Sequence, residues 1–90
     1  FLIDNRIPVI SEDTWGGEIT SSVVAHFAVS TPEEYLQNTT DLMNYNTRST
    51  GIGGPISRDG KLYATDTPGL GVTPDFESLG AAVFDTGETA

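Results

Sequence analysis

Ile7-Pro8-Val9-Ile10-Ser11-Glu12-Asp13-Thr14-Trp15-Gly16-Gly17-Glu18-Ile19, running directly into Thr20 to Val29, decides how the chain is read. An apolar, β-branched run (7–10) gives way to an acidic and aromatic cluster and two glycines. Apolar residues then recur at helical spacing: Ile19, Val23 and Phe27 at i, i+4 and i+8, widened to a core-facing stripe by Val24 and Ala28. The pattern predicts a strand buried on both faces, as in a parallel sheet, then a loop and a helix with Ile19, Val23 and Phe27 turned inward. Glu18 falls in the first helical turn, where the macrodipole favours a carboxylate, and Asp13 or Thr14 is the predicted cap. In α/β proteins the loop after a strand's carboxyl end is where chemistry is placed, which singles out Asp13 and Trp15.

Working outward, Phe1 to Arg6 reads as the end of a helix and its exit, and a start on Phe-Leu-Ile suggests a chain entered partway through a larger protein. Thr31-Pro32-Glu33-Glu34 has capping-box spacing and predicts a short helical turn through about Leu36. Thr39 to Asn44 is read as a second strand, parallel to the first across a right-handed crossover. Two parallel strands alone leave faces and edges uncovered, so the rest of the sheet is expected outside this sequence. Beyond Thr50 the pattern changes. Gly51 to Gly54 reads as a loop, Arg58-Asp59-Gly60 as a hairpin turn between Pro55-Ile56-Ser57 and Lys61 to Ala64, and Thr67 to Val72 as a turn-rich connector. Asp75 to Leu79 makes one helical turn ended by Gly80, and Gly87 to Ala90 is expected to fray.

Composition narrows the function. Ninety residues make at most one domain, and chains this short bury only about 60% of their unfolded surface. With 37% hydrophobic residues, ten glycines and five prolines, much of the chain should be irregular backbone. There is no cysteine, which excludes disulfides and thiolate metal sites and fits a reducing, cytoplasmic setting. Thirteen acidic against four basic residues give a net charge of -9, a field that repels nucleic acid and anionic membrane. No apolar run is long enough to span a bilayer, and no secretory signal is present in the sequence given.

Several residues have bland readings. His26, in mid-helix, is read as a packed or hydrogen-bonded histidine. Gly51-Ile52-Gly53-Gly54 lacks the following Lys-Ser or Lys-Thr of a phosphate cradle, and Asn38-Thr39-Thr40 is a glycosylation sequon without a secretory context. Asp13 is either a helix cap or a substrate contact, and Trp15 either a core anchor or a face for a cation. Glu12 has no feature that separates a structural role from one beside the site.

Ile7-Pro8-Val9, Glu12-Asp13-Thr14-Trp15-Gly16-Gly17, Ala25-His26-Phe27-Ala28 with Thr31-Pro32, and Asp59-Gly60 before Thr67-Pro68-Gly69-Leu70-Gly71-Val72 together resemble the carboxyl-terminal part of the enolase superfamily. More narrowly they resemble its mandelate racemase and muconate lactonising branch, over roughly residues 1–85. The Asp-Thr-Trp-Gly-Gly form looks closest to members acting on hydroxyproline and proline betaine. The resemblance implies an α/β fold: residues 1–50 as the last two parallel strands and intervening helix of a modified TIM-like barrel, and residues 51–90 as a hairpin-containing tail packed on a capping domain. It implies an enzyme part that is inactive alone. The whole would form an enolate from a small carboxylate with magnesium and a lysine or histidine base. Dehydration of cis-3-hydroxy-L-proline is the expected reaction, with epimerisation of a proline betaine as the alternative. A non-catalytic acidic interaction domain is the competing class.

The family's paired lysines and metal-binding carboxylates lie on earlier strands, and the one lysine here, Lys61, falls in the hairpin. The chain is therefore expected to hold no catalytic base and no metal ligand, and to contribute Asp13, Trp15 and Asp41 as substrate-facing residues. The expected partners are the substrate, the remaining barrel and capping domain, and further copies in a homo-oligomer.

Overall fold

A computed structural model describes residues 1–13 and 15–87. Thr14, one of the two predicted caps, and residues 88–90, predicted to fray, lie outside the described residues.

The chain opens on one helical turn. Ile7 N–H donates to the Leu2 carbonyl at 2.9 Å and Arg6 N–H to the Ile3 carbonyl at 2.9 Å, with Arg6 in the left-handed region at φ 56°. That is the bonding pattern of a helix carboxyl terminus, as the sequence suggested. Strand β1 (Val9–Ser11) follows, then helix α1 (Glu18–Val29) and strand β2 (Leu36–Thr39), which pairs with β1 in parallel. The β-α-β unit predicted from the opening stretch is present, with β2 displaced from the predicted span. Asn44 N–H donates to the Asp41 carbonyl and Asn46 N–H to the Met43 carbonyl, so Leu42–Tyr45 wind into a 3-10 helix instead of extending. The predicted turn at Pro32 to Leu36 is a single turn, and Thr31 does not cap it. Its Oγ1 donates to the Phe27 carbonyl at 3.1 Å, closing the end of α1.

The buried face of α1 also differs from the expectation. Val24 and Ala28 are buried as expected, together with Ser21, Ser22 and Ala25, whereas Ile19, Val23 and Phe27 are exposed, the last two at 50% and 57%. Small side chains let the helix approach closely: Ser11 Oγ donates to the Val24 carbonyl at 3.3 Å, and Ser22 Oγ donates to the Leu70 carbonyl in the tail. Strand β1 is covered on that side only, since Ser11 is buried and Ile10 on the opposite face is 55% exposed. Two strands alone leave that second face uncovered, as expected of part of a larger parallel sheet. The open face leaves Ile10 uncovered by the described residues.

The tail builds two antiparallel pairs. Strands β3 (Gly51–Gly53) and β6 (Val72–Pro74) pair, although the first was read as loop, and β4 (Ile56–Arg58) pairs with β5 (Lys61–Tyr63) across the predicted Asp59-Gly60 turn. Both turn residues have positive φ, 51° and 72°, as a two-residue hairpin of this type requires. The Arg58 guanidinium lies 4.9 Å from the Tyr63 ring centre across that hairpin. The helical turn α2 (Phe76–Leu79) is capped by Asp75, which accepts from Ser78 N–H at 3.2 Å, and ends at Gly80 as predicted. No helix among the described residues is long and apolar enough to cross a membrane.

Candidate functional site

Parallel pairing brings the carboxyl ends of β1 and β2 to one side, with the loop after each strand beside the other. Three contacts tie the loops together. Asp13 N–H donates to Thr40 Oγ1 at 3.2 Å, Asn46 Nδ2 donates to the Gly16 carbonyl at 3.3 Å, and the Trp15 and Tyr45 rings meet edge to face, centroids 5.4 Å apart and planes at 73°. The loop that carries Asp13 and Trp15 is thus held at Thr40, Tyr45 and Asn46, the last two of which the sequence reading missed. The signal for these was Asp41 followed three residues later by Asn44. That is the spacing of a side-chain-supported turn, and it places residues 45 and 46 back over the first loop.

Asp13 is buried at 7% exposure and is not a cap. Gly17 begins α1 with no side-chain capping bond, and Asp13 Oδ2 instead accepts from Ser21 Oγ at 3.1 Å, one turn further in. Its Oδ1 is buried with no partner among the described residues, an unusual state for a carboxylate oxygen. Trp15 is 72% exposed and held at φ 62°, a backbone region that a bulky residue adopts only under constraint. Its reading as a core anchor is not supported within this chain.

Asp41 begins the 3-10 helix, not the end of a strand. Its Oδ2 accepts from Ser57 Oγ at 2.6 Å and Asn44 Nδ2 at 2.8 Å, and these bonds, Ser57 foremost, hold its carboxyl below the usual range. It lies at one end of an open cleft of about 540 Å³ running along β2 to the β4–β5 hairpin, with Thr39, Ser57 and Lys61 among its walls. Trp15 and Tyr45 do not line that cleft, whereas Thr40, which accepts from Asp13 N–H, lines it beside Asp41.

Glu18 ties the helix start to the tail, accepting from Thr50 N–H at 3.1 Å and Thr50 Oγ1 at 3.3 Å. Burial opposes its charge, but hydrogen bonds from Ser49, its own backbone and Thr50 together leave its carboxyl below the usual value. His26 Nε2 lies 3.4 Å from the Leu70 carbonyl, so it serves packing as the sequence suggested, with the proton on Nε2. Glu12 is exposed just past the end of β1.

No three His, Asp or Glu side chains among the described residues converge on a point where a metal could sit. Asp13 and Asp41 each accept a hydroxyl donor at Oδ2, from Ser21 and Ser57, and among the described residues no other acidic side chain joins either of them. The residues present do not fit a magnesium centre.

No family model matches the chain. It is 43% identical over 81 residues to a cis-3-hydroxy-L-proline dehydratase of Roseibium aggregatum, a match covering 90% of this chain and 22% of that protein. Among solved structures, a mandelate racemase/muconate lactonizing enzyme of Roseovarius nubinhibens ISM superposes with a TM-score of 0.87 at 75% identity, over 93% of this chain and 23% of that one. A second protein of that type from the same organism, solved with magnesium, gives 0.83 at 28% identity, over 92% of this chain and 23% of that one. The chain thus spans less than a quarter of the length of the relatives it matches.

Proposed function

We propose, from the premise that this chain is a segment of an enolase-superfamily enzyme of the mandelate racemase/muconate lactonizing branch, that the whole enzyme dehydrates cis-3-hydroxy-L-proline. The observation that carries the reading is the 43% identity to a dehydratase of that substrate, sustained over 81 residues. In this reading, residues 1–50 supply the last two strands of the barrel with the helix between them, and residues 51–90 run back to the capping domain. The open face of β1, with Ile10 at 55% exposure, supports a barrel interior on that side.

The chemistry breaks the C–H bond beside the carboxylate and the C–O bond at the neighbouring carbon, forms a C=C bond and releases water. Magnesium would steady the enolate charge, and the amines that move the proton would belong, like the metal ligands, to residues outside this sequence. What this chain does is bind and orient. Trp15 presents an exposed ring to the substrate's ring ammonium, Asp13 steadies the loop after β1 by accepting from Ser21 at Oδ2, and Asp41 fixes the loop after β2 through Ser57 and Asn44. Neighbouring copies of the polypeptide complete the assembly in the same reading.

The exposed aromatic pair also favours a second activity, epimerisation of a proline betaine, because a quaternary ammonium has no N–H to donate and relies on ring faces. The test is to assay the complete polypeptide carrying this segment, with magnesium, on cis-3-hydroxy-L-proline and on proline betaine in D2O. Loss of water to an unsaturated ring acid supports the dehydratase. Deuterium entry with inverted configuration and no loss of water identifies the epimerase, and inertness toward both overturns the assignment.

A further inference from the structure

We infer that Tyr45 is a positioning residue: it holds the Trp15 ring where it receives a cationic ring nitrogen, so affinity for the ammonium group depends on a side chain that need not touch it. The inference rests on the proposed reading for the identity of the ligand, and on the geometry for the mechanism.

Trp15 follows β1 with a backbone at φ 62°, and such a conformation persists in a large residue only where its surroundings fix it. Two contacts do so, both from the segment just after β2. The Tyr45 ring meets the Trp15 ring edge to face at 5.4 Å, and Asn46 Nδ2 holds the Gly16 carbonyl at 3.3 Å, one residue beyond the tryptophan. The Asp41–Asn44 bond starts the 3-10 helix that presents both residues.

The contact uses little of either ring. Within this chain Trp15 is 72% exposed and Tyr45 70%, so neither ring's faces are taken up by the segment that braces it. An edge-to-face pair sets two rings near right angles, the shape of a corner that meets a cation on one face and restrains the ring from turning away. Covering a ring by burial would have fixed it equally well and closed it to ligand. Bracing it from one edge leaves it open, as a binding surface requires.

The experiment compares wild type with Tyr45→Phe and Tyr45→Leu in the complete polypeptide, following KM and kcat on cis-3-hydroxy-L-proline and calorimetric binding of proline betaine. Tyr45→Phe keeps the ring edge and should behave as wild type. Tyr45→Leu removes it and should raise KM and weaken betaine binding about 3- to 10-fold, with kcat within twofold and circular dichroism at the assay temperature matching wild type. Asn46→Ala is the second variant and should shift KM the same way. Should Tyr45→Leu leave KM and betaine binding unaltered, or lower kcat alone, the positioning role is wrong even if the wild type dehydrates its substrate. If betaine binding weakens in Tyr45→Leu while neither compound is turned over, the positioning role stands and the assigned reaction falls.

Discussion

Asp41 shows how a carboxylate at the surface is made structural. Ser57 in β4 and Asn44 in the 3-10 helix both donate to its Oδ2, so one ionised oxygen joins the loop after β2 to the hairpin. Both donors favour the charged form and lower its folded pKa from the ordinary 3.8. The stabilisation is therefore fully present above 3.8 and is lost as pH falls through the lower folded value. In Ser57→Ala the main cause of the shift is gone. Carboxyl-carbon NMR of labelled aspartate should then find the Asp41 midpoint moved up toward 3.8, and a midpoint unchanged by the substitution would mean that Ser57 is not the partner that matters. Asp13 was legible as a residue of interest and illegible in its bonding. A sequence shows an acidic residue before a helix, and the cap is the commonest outcome, but Ser21 one turn later competes for the same oxygen and wins.

Among the elements, the Asp-Gly hairpin and the Asp75-capped turn were readable because turn chemistry is local: φ 51° and 72° at residues 59 and 60 are dictated by the two residues that adopt them. The β3–β6 pair was not readable. Gly51 and Gly53 have no side chain for a strand propensity to register, and their pairing is backbone to backbone, extended by Gly54 N–H donating to the Gly71 carbonyl at 2.8 Å. The inward face of α1 was misread for a related reason, since hydropathy ranks Ser21 and Ser22 as polar although their hydroxyls are satisfied inside the fold. Gly71 makes this dependence on small residues testable. It sits at φ 68°, and a Cβ there would fall 1.7 Å from Thr65 Oγ1, whereas a Cβ on Gly60, at φ 72°, would meet nothing within 4 Å. In the complete polypeptide, Gly60→Ala should cost only the left-handed backbone term, about 1 to 2 kcal/mol in urea denaturation. Gly71→Ala adds a steric clash and should cost about 3 kcal/mol or more, with Thr65→Ala in the same chain recovering at least about 1 kcal/mol. Equal costs at the two glycines would show that the Thr65 contact is not tight.

For the molecule as a whole, surface decides behaviour. The accessible area is 6913 Å² for 9.6 kDa, where a compact monomer of that mass exposes about 5,100 Å². The radius of gyration is 15.2 Å, against about 12 Å for a compact chain of this length. Among the described residues the buried hydrophobic side chains are Val24, Ala25 and Ala28, while Phe1, Ile10, Phe27, Phe76 and Phe84 each stand at least 55% exposed. Such a core cannot offset the conformational entropy of ordering ninety residues, so the apolar surface needs a neighbour to cover it. A net charge of -9 adds self-repulsion, greatest at low salt. The ninety-residue chain expressed alone should therefore bind anilinonaphthalene sulfonate, melt over a broad range without a cooperative step, and compact as salt screens its charge. Calorimetry, dye fluorescence and small-angle scattering across a salt series check this directly. A sharp calorimetric transition together with a radius of gyration near 12 Å would show that the chain covers its own apolar face, and the reading of β1 and β2 as part of a larger sheet would lose its physical basis.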